Sequence, residues 1–581
     1  MTTTLGTVAT TMGLRYTPLS LNEDMRFSSG TYGGVTGPIP VETGTPINVS
    51  NLTSITATAN GTVIWDLKID TSTTGSPTMW GATTDINQNV YSIVYVNSST
   101  RRFYNADTTL ASTSSEALGG GVGSFLVKYN QNGNFEWYTR CDGSQGTVDD
   151  TYGVWAESMK NVTTQQYVSN VYQVFSYAGS GNVFSASNQI TAARTLVGAS
   201  TTVSDMGIAK FDSNGTVHWA TRISGTSAAA IEIGRAVIGD NTGNVYVVGY
   251  YNGTSRIYSA SNQGTPAFQL GPVNGTDIMI VKYDINGTFL WCSRMSCLAS
   301  GETIKSAAVD NFGNLYLAGS HSTAMGVYQW TGATTSLKFT LAFVGTNDGF
   351  IVKYNFNGTC AWATRVAGQT AGNNDTIAAI ATTPEGNCYV HGTTTSLTLN
   401  IYTINSPTNT STIAASLTAF STVSTGFIIK YDTNGTYKWS AKFGKASTAS
   451  IAAQNVAVDK NGDIYGTGWF SDTVAGSKFI DFYNQGGSSS AGRLTATATS
   501  DGFLWKYNSD GVYKWSGRMS GTTGLTNPAS LSIRNNAVYV GGYCTSISGS
   551  FTLYSASGVA FANTLTTSTG SGFTWMAKYS Y

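Results

Sequence analysis

Side chains able to do chemistry are few in this chain and poorly placed to act together. There are three histidines, His218, His321 and His391. They fall on a strand, at a loop opening and at a strand end of three different repeats. A zinc site needs three or four His, Cys or carboxylate ligands at close range, and no such spacing occurs. The six cysteines, Cys141, Cys292, Cys297, Cys360, Cys388 and Cys544, have no disulfide-framework spacing, and only Cys292 and Cys297 lie near each other. Free strand thiols are expected, because cysteine is often buried without a partner.

Two aspartate series invite a closer look. Asp85, Asp240, Asp310 and Asp459 could offer oxygen to calcium, but a hard cation wants several oxygens, usually from more than one carboxylate. Most sit instead in turns with a single Asp and Asn neighbours, clearest in the Asp-x-x-Gly-Asn runs, where Asp and Asn bond their own backbone and Gly accepts positive φ. A turn accounts for them. Asp205, Asp277, Asp348 and Asp501 could form an acidic ring if they faced a channel. That series breaks at Gly123, Thr425 and Phe573, so a turn leading into a strand is the better reading. Nucleophile elbow, phosphate loop and dinucleotide fingerprint are all missing. The sequence therefore predicts no catalytic residue, no metal and no cofactor, and the protein reads as a non-enzyme.

The elements that carry these residues repeat. An apolar strand ending in Lys-aromatic, a short turn and a strand carrying Trp recur seven times. The tryptophans are Trp65, Trp137, Trp219, Trp291, Trp362, Trp439 and Trp515. The lysines are Lys128, Lys210, Lys282, Lys353, Lys430, Lys506 and Lys578. Within each complete block Lys and Trp are nine residues apart, and a basic residue follows each Trp by three. The first copy has only its second half, Asn60–Trp65, and the last only its first, Trp575–Tyr579. The two halves make one block if the ends of the repeat region meet, which predicts a ring.

A second block lies between successive tryptophans, clearest at Asp240–Gly249, Asp310–Gly319 and Asp459–Gly468, with weaker copies centred on Tyr91, Tyr167, Tyr389 and Tyr539. Each unit thus offers four short strands: A (small residues), B (Val-Tyr-Val), C (ending in Lys-aromatic) and D (Trp). Radial repetition of four-stranded sheets is the β-propeller solution to exposed edges. The expected fold is all-β, a seven-bladed propeller of four-stranded blades over 51–581, closed by an N-terminal outer strand beside the C-terminal one. Small residues in A suit the crowded axis.

The Asp-x-Asn-Gly turn between C and D predicts a type I turn with a Gly bulge. In that register Phe135 faces Tyr129 and Trp137 faces Val127. Ala209, Val281, Val352, Ile429, Trp505 and Ala577 would face the other tryptophans. A two-residue turn would put each Trp opposite its Lys, and apolar consistency argues against that. The lysines then read as rim cations with buried stems. Asn-Gly-Thr sequons such as Asn214–Thr216 coincide with these turns and read as turn residues.

The Asp-Gly-Phe-Ile-Val-Lys-Tyr-Asn...Gly...Trp run, followed by Asp-x-x-Gly-Asn-x-Tyr-Val-x-Gly, resembles the SBBP (seven-bladed β-propeller) repeat. The resemblance covers roughly 55–581. It implies a propeller and little about activity. Two departures stand out: the B–C stretches are unusually long, and the first two blades carry degraded second blocks.

Composition narrows the function further. Charged residues are 11% of the chain and the net charge is zero, against about 25% charged in ordinary domains. Nothing marks an electrostatic footprint for nucleic acid. No apolar run is long enough to span a bilayer, so membrane insertion is not expected. The opening Met-Thr-Thr-Thr-Leu-Gly-Thr-Val lacks the basic flank and apolar core of a secretory signal. A Thr/Ser/Gly-rich, weakly charged β protein of this kind is expected on the surface of a virus or phage particle, as a capsid-associated, spike or host-attachment component. A bacterial cell-surface or extracellular glycan-binding adhesin is the alternative.

Residues 1–50 have no helical or strand period and read as an extended arm that binds other particle proteins. The B–C connections separate Tyr from Lys by thirty-six to forty-three residues. They repeat a Tyr-Ser-Ala-Ser motif around Phe184, Tyr258 and Tyr554, with relatives at Tyr104, Tyr328 and Tyr402. These six aromatics mark a candidate interaction surface for a host receptor or glycan, on an extra β-ribbon or simply packed on the rim.

Overall fold

The computed structural model describes residues 61–580 apart from 72–76, 97–99, 115–122, 145–152, 161–166, 273–274, 298–300, 370–371, 405–411, 421–422, 446–448, 473–477, 497, 499, 522–523, 546–549 and 567–571. The chain divides into Met1–Ala57 and Thr58–Tyr581. The arm at 1–50 lies outside the described residues, so only the second unit is considered below.

The described residues form forty-two strands. Strands such as Asp277–Tyr283 are buried along their whole length, which is what continuous Ile/Val/Met runs achieve when both faces of a sheet are covered. The strands make seven sheets of six. The third sheet runs A Glu232–Gly239, B Val245–Tyr251, C Asp277–Tyr283, D Phe289–Cys297, E Met325–Trp330 and F Thr335–Leu341. The A strands touch in an unbroken circle, with Thr78–Thr84 against both Gly153–Lys160 and Thr526–Arg534. The architecture is a β-propeller. Among the described residues no helix is long and apolar enough to cross a membrane.

The expectation of four-stranded blades is corrected to six. The reason lies in the long B–C connections. Strands E and F of the third blade come from the chain between B (Leu315–His321) and C (Asp348–Tyr354) of the fourth. There the ribbon pairs with the D edge of its neighbour, Met295 opposite Val327 and Cys297 opposite Met325. Every B–C connection makes the same excursion onto the preceding blade. A predicted ribbon therefore exists, but it covers the neighbour's edge strand and not its own.

Ring closure uses the two half-blocks. Val63 pairs with Tyr579, Trp65 with Lys578 and Lys68 with Trp575. The C–D turn is the predicted one. In Asp284–Thr288 the Gly287 N donates to Asp284 O at 2.9 Å, and Gly287 holds φ at +77°. Phe289 accordingly faces Tyr283.

The predicted partner of Trp is wrong. A second irregularity skips one residue of strand D, so Trp291 faces Lys282 and not Val281. The same slip puts Trp137 opposite Lys128, Trp219 opposite Lys210, Trp362 opposite Lys353, Trp439 opposite Lys430, Trp515 opposite Lys506 and Trp65 opposite Lys578. The skipped residue is ejected to solvent: Leu290 is 43% exposed and Ile64 45%. A bulge of this kind re-aims a side chain, and here it turns Trp toward the next blade. Apolar cores fill the spaces between neighbouring blades. One joins Val248, Ile280, Trp291 and Met295 of the third blade to Leu317, Val352 and Tyr354 of the fourth.

Candidate functional site

The repeated Lys and Trp converge on one atom of the following blade. Lys282 Nζ and Trp291 Nε1 both donate to Phe356 O, each at 3.0 Å. Lys128 and Trp137 meet on Ser213 O, Lys210 and Trp219 on Ile285 O, and Lys353 and Trp362 on Thr433 O. Lys430 and Trp439 meet on Ser509 O, and Lys578 and Trp65 on Gln131 O. For Lys506 and Trp515 the equivalent position is 59, outside the described residues. Each acceptor lies in the next blade's C–D turn.

Each of the seven ammonium groups also lies over the strand B tyrosine of its blade, as Lys282 does over Tyr246 at 4.6 Å. In the second blade that tyrosine is Tyr172 and not Tyr167. The reading as rim cations is corrected: all but Lys430 and Lys578 are buried residues. Loss of water pushes the Lys210, Lys282, Lys353, Lys430 and Lys578 pKa values down. A charge-assisted bond of this type is worth about 1.5–3 kcal/mol.

The Gly of each C–D turn completes the clasp. A Cβ on Gly287 would lie 2.7 Å from Ala260 Cβ and 3.0 Å from the Trp219 ring. Ala260 N donates to Gly287 O at 2.9 Å. Ala260 belongs to the Tyr-Ser-Ala-Ser motif, so the motif fastens the ribbon to its own blade's turn, with the neighbour's Trp held beside them. Ser259 Oγ adds a bond from Phe289 N at 3.0 Å.

The six aromatics of the candidate interaction surface are each covered by the basic residue three after Trp. Arg140 lies over Phe184, Arg222 over Tyr258, Arg294 over Tyr328, Arg365 over Tyr402, Arg518 over Tyr554 and Lys68 over Tyr104, at 4.0–4.6 Å. Phe184, Tyr258 and Tyr402 are buried and the other three half-buried. What faces outward is strand F.

The histidines stay apart. His321, the last residue of its strand B, is buried with Nδ1 2.8 Å from Thr323 O. His391 packs on Trp505 with Nδ1 3.2 Å from Asn455 O. Burial pushes both down to about 4. His218 is half exposed on strand D, 3.8 Å from Asp212. All six cysteines are free and buried.

Asp240 closes its turn by accepting from Thr242 N and Asn244 N at 3.0 and 3.1 Å. Asp205, Asp277, Asp348 and Asp501 are buried at the start or second residue of strand C, away from the channel. Asp205 and Glu232 share a buried interface between the second and third blades, and burial raises them to about 6 and about 8. Among the described residues no group of His, Cys, Asp and Glu could hold a metal ion.

The A strands enclose a cavity of about 1010 Å³ along the axis. Ala82, Ser306, Ala307, Ala452, Ala457 and Ser532 line much of it, as predicted for small residues at the axis. Six of the seven A strands, all but Gly153–Lys160, carry a register irregularity near their middle. The skipped residues include Trp80, Arg235, Lys305, Ala378 and Gln454, and all five line the cavity. Sequence reasoning missed Arg235 and Lys305. The signal was available: each is the cation in the middle of a strand whose neighbouring residues are small or apolar, Gly234 and Ala236 beside Arg235, Ile304 and Ser306 beside Lys305.

Comparison with known proteins gives the following. No family model matches the chain. An uncharacterized WD repeat-containing protein, L264, of Acanthamoeba polyphaga mimivirus is 24% identical over 450 residues, 71% of this chain and 30% of that protein. The chain thus spans under a third of that relative's length. A solved structure of a protein of unknown function from Bacteroides caccae is 11% identical, covers 62% of this chain and 89% of its own, and superposes with a TM-score of 0.26; at that score it carries no argument about the fold.

Proposed function

We propose that the protein is a non-enzymatic interaction scaffold of the SBBP-like type, displayed on the surface of a virus or phage particle as a capsid-associated, spike or host-attachment component. The observation that carries this reading is the rim. Strand F ends each sheet, and the seven F strands contain Arg194, Lys338 and Arg493 but no carboxylate. Leu110, Val197, Leu337 and Ile413 stand exposed there. Exposed edges are usually blunted with charge. Lightly charged apolar edges on a rigid ring are suited to contact with neighbouring proteins. The likeness to a mimivirus WD repeat-containing protein supports the same setting. The arm at 1–50 supplies the tether to other particle proteins, and a host receptor or glycan is the external partner.

Antibodies against the ring should label intact particles released from producing cells. Labelling confined to cells or their wall would overturn the reading. A chain lacking residues 1–45 should keep the ring's melting temperature yet fail to join particles; normal incorporation would remove the tether.

A further inference from the structure

Buried acids face each other at three successive seams of the ring. Asp205 opens strand C of the second blade and Glu232 opens strand A of the third. Asp277 opens strand C of the third blade, and Glu302 immediately precedes strand A of the fourth. Asp348 opens strand C of the fourth blade and Asp375 strand A of the fifth. All six are buried. The following seam carries Thr425 and Ser450 at the same places, where Ser424 Oγ donates to Ile451 O at 2.8 Å.

The seam between the second and third blades shows the arrangement most fully. Gly225 N, at the end of strand D, donates to Asp205 Oδ1 at 3.3 Å, and a Cβ on Gly225 would lie 3.4 Å from Glu232 Oε1. Both carboxyls thus flank one residue. Ala199 N donates to Asp205 Oδ2 and Ser255 Oγ to Glu232 Oε1, each at 2.7 Å. The two carboxyls also meet each other, a protonated Glu232 donating to ionised Asp205. Around them stand Arg222, whose charge favours ionised Asp205, and the phenols Tyr177 and Tyr258.

The same donor position serves the next two seams. Cys297 N donates to Glu302 Oε1 at 3.4 Å and Gly368 N to Asp375 Oδ2 at 2.5 Å. Tyr251, Arg294, Cys297 and Arg235 surround the Asp277–Glu302 pair. His321 and Arg365 stand beside Asp348. Two carboxylates facing each other away from water resist carrying both charges, and they titrate as a unit.

We propose that these carboxyl pairs form an alkali-sensitive latch, which holds the second to fifth blades together while each pair keeps one proton and loosens that arc of the ring, ahead of the other seams, once the proton leaves. Burial raises Glu232 to about 8 and Asp205 to about 6. The folded ring therefore keeps a proton that the unfolded chain releases at about pH 4. The stabilisation is full below that pH and is lost as pH rises through about 8.

The test is hydrogen–deuterium exchange of the full chain at about pH 6 and about pH 9, corrected for the intrinsic rate, with melting temperatures under the same conditions. Strand A of the third blade, Glu232–Gly239, should exchange about tenfold faster at the higher pH, while strand A of the sixth, Ser450–Val458, changes little. Glu232→Gln, whose amide donates to Asp205 at either pH, should remove the rise and most of the parent's loss of melting temperature between the two conditions. Asp205→Asn takes its place if that variant does not fold. Glu385→Gln, on an exposed turn, should behave as the parent. An absent rise in Glu232–Gly239, an equal rise in both strands, or a parental pH response in the carboxyl variant would overturn the proposal.

Discussion

Two alanine substitutions separate the conformational from the packing demand at the turn glycines. Gly287 and Gly332 both hold positive φ, +77° and +95°. An Ala at Gly332 would meet nothing within 4 Å, whereas at Gly287 its Cβ would lie 2.7 Å from Ala260 Cβ and 3.0 Å from Trp219. Left-handed backbone costs a non-glycine residue about 1–2 kcal/mol. Relief of unfolded-chain entropy returns about 0.4–1 kcal/mol. Gly332→Ala should therefore cost under about 1.5 kcal/mol.

Gly287→Ala adds overpacking, typically about 1–3 kcal/mol. Neither obstacle can retreat. Ala260 is fixed by its backbone bond to Gly287, and Trp219 by its bond to Ile285 O at 3.0 Å. The total is about 2–4 kcal/mol. Thermal melts at one scan rate, followed by tryptophan emission, give the comparison, since large chains often unfold irreversibly. Gly287→Ala should melt several degrees below Gly332→Ala, with a shifted emission spectrum as Trp219 is displaced. Equal melting temperatures would refute the clasp as a close-packed contact.

Trp291→Phe removes the Nε1 donor to Phe356 O and part of a buried ring. It should cost about 1–3 kcal/mol, and Lys282→Met in the same background should cost less than in the parent, read as the coupling in a double-mutant cycle of melting or denaturant midpoints. Acid stability should bend on His391. Burial holds its folded value near 4, below the ordinary 6.5, so the unfolded chain takes up a proton that the ring refuses. Stability is full above about pH 6.5, falls as pH drops toward about 4, and levels below, a loss of about 3 kcal/mol for this group. Glu232 and Asp205, raised by burial, act with the opposite sign, so the reading is His391→Gln against the parent: the variant should lose less between pH 6.5 and 4.5, and an unchanged slope would refute the assignment.

Much of the ring was legible because its signals are local. Asp284–Thr288 spells its own turn, and the half-blocks at Trp65 and Lys578 require each other. The partner of Trp was not legible. Apolar consistency favoured Val281 opposite Trp291, but the acceptor that rewards the other register, Phe356 O, belongs to a turn sixty-five residues away. Nor could spacing reveal that Met325–Leu341 docks on the preceding blade, since the ribbon pattern reads the same on either. The constant nine-residue interval from Lys to Trp was the visible trace of the shared acceptor, because two side chains aimed at one carbonyl tolerate no insertion. Recurrence marks the six aromatics, but nothing in the spacing pairs them with the Arg or Lys three residues after each Trp, because each pair forms only when a ribbon docks on the preceding blade.

The borrowed ribbons make the ring a weave. Every sheet holds segments from two successive sequence repeats, so a protease cut in one exposed loop frees no separable piece. The severed ends stay laced into the sheets on either side. Force applied at any point of the circumference is shared around the hoop by the strands each blade lends its neighbour.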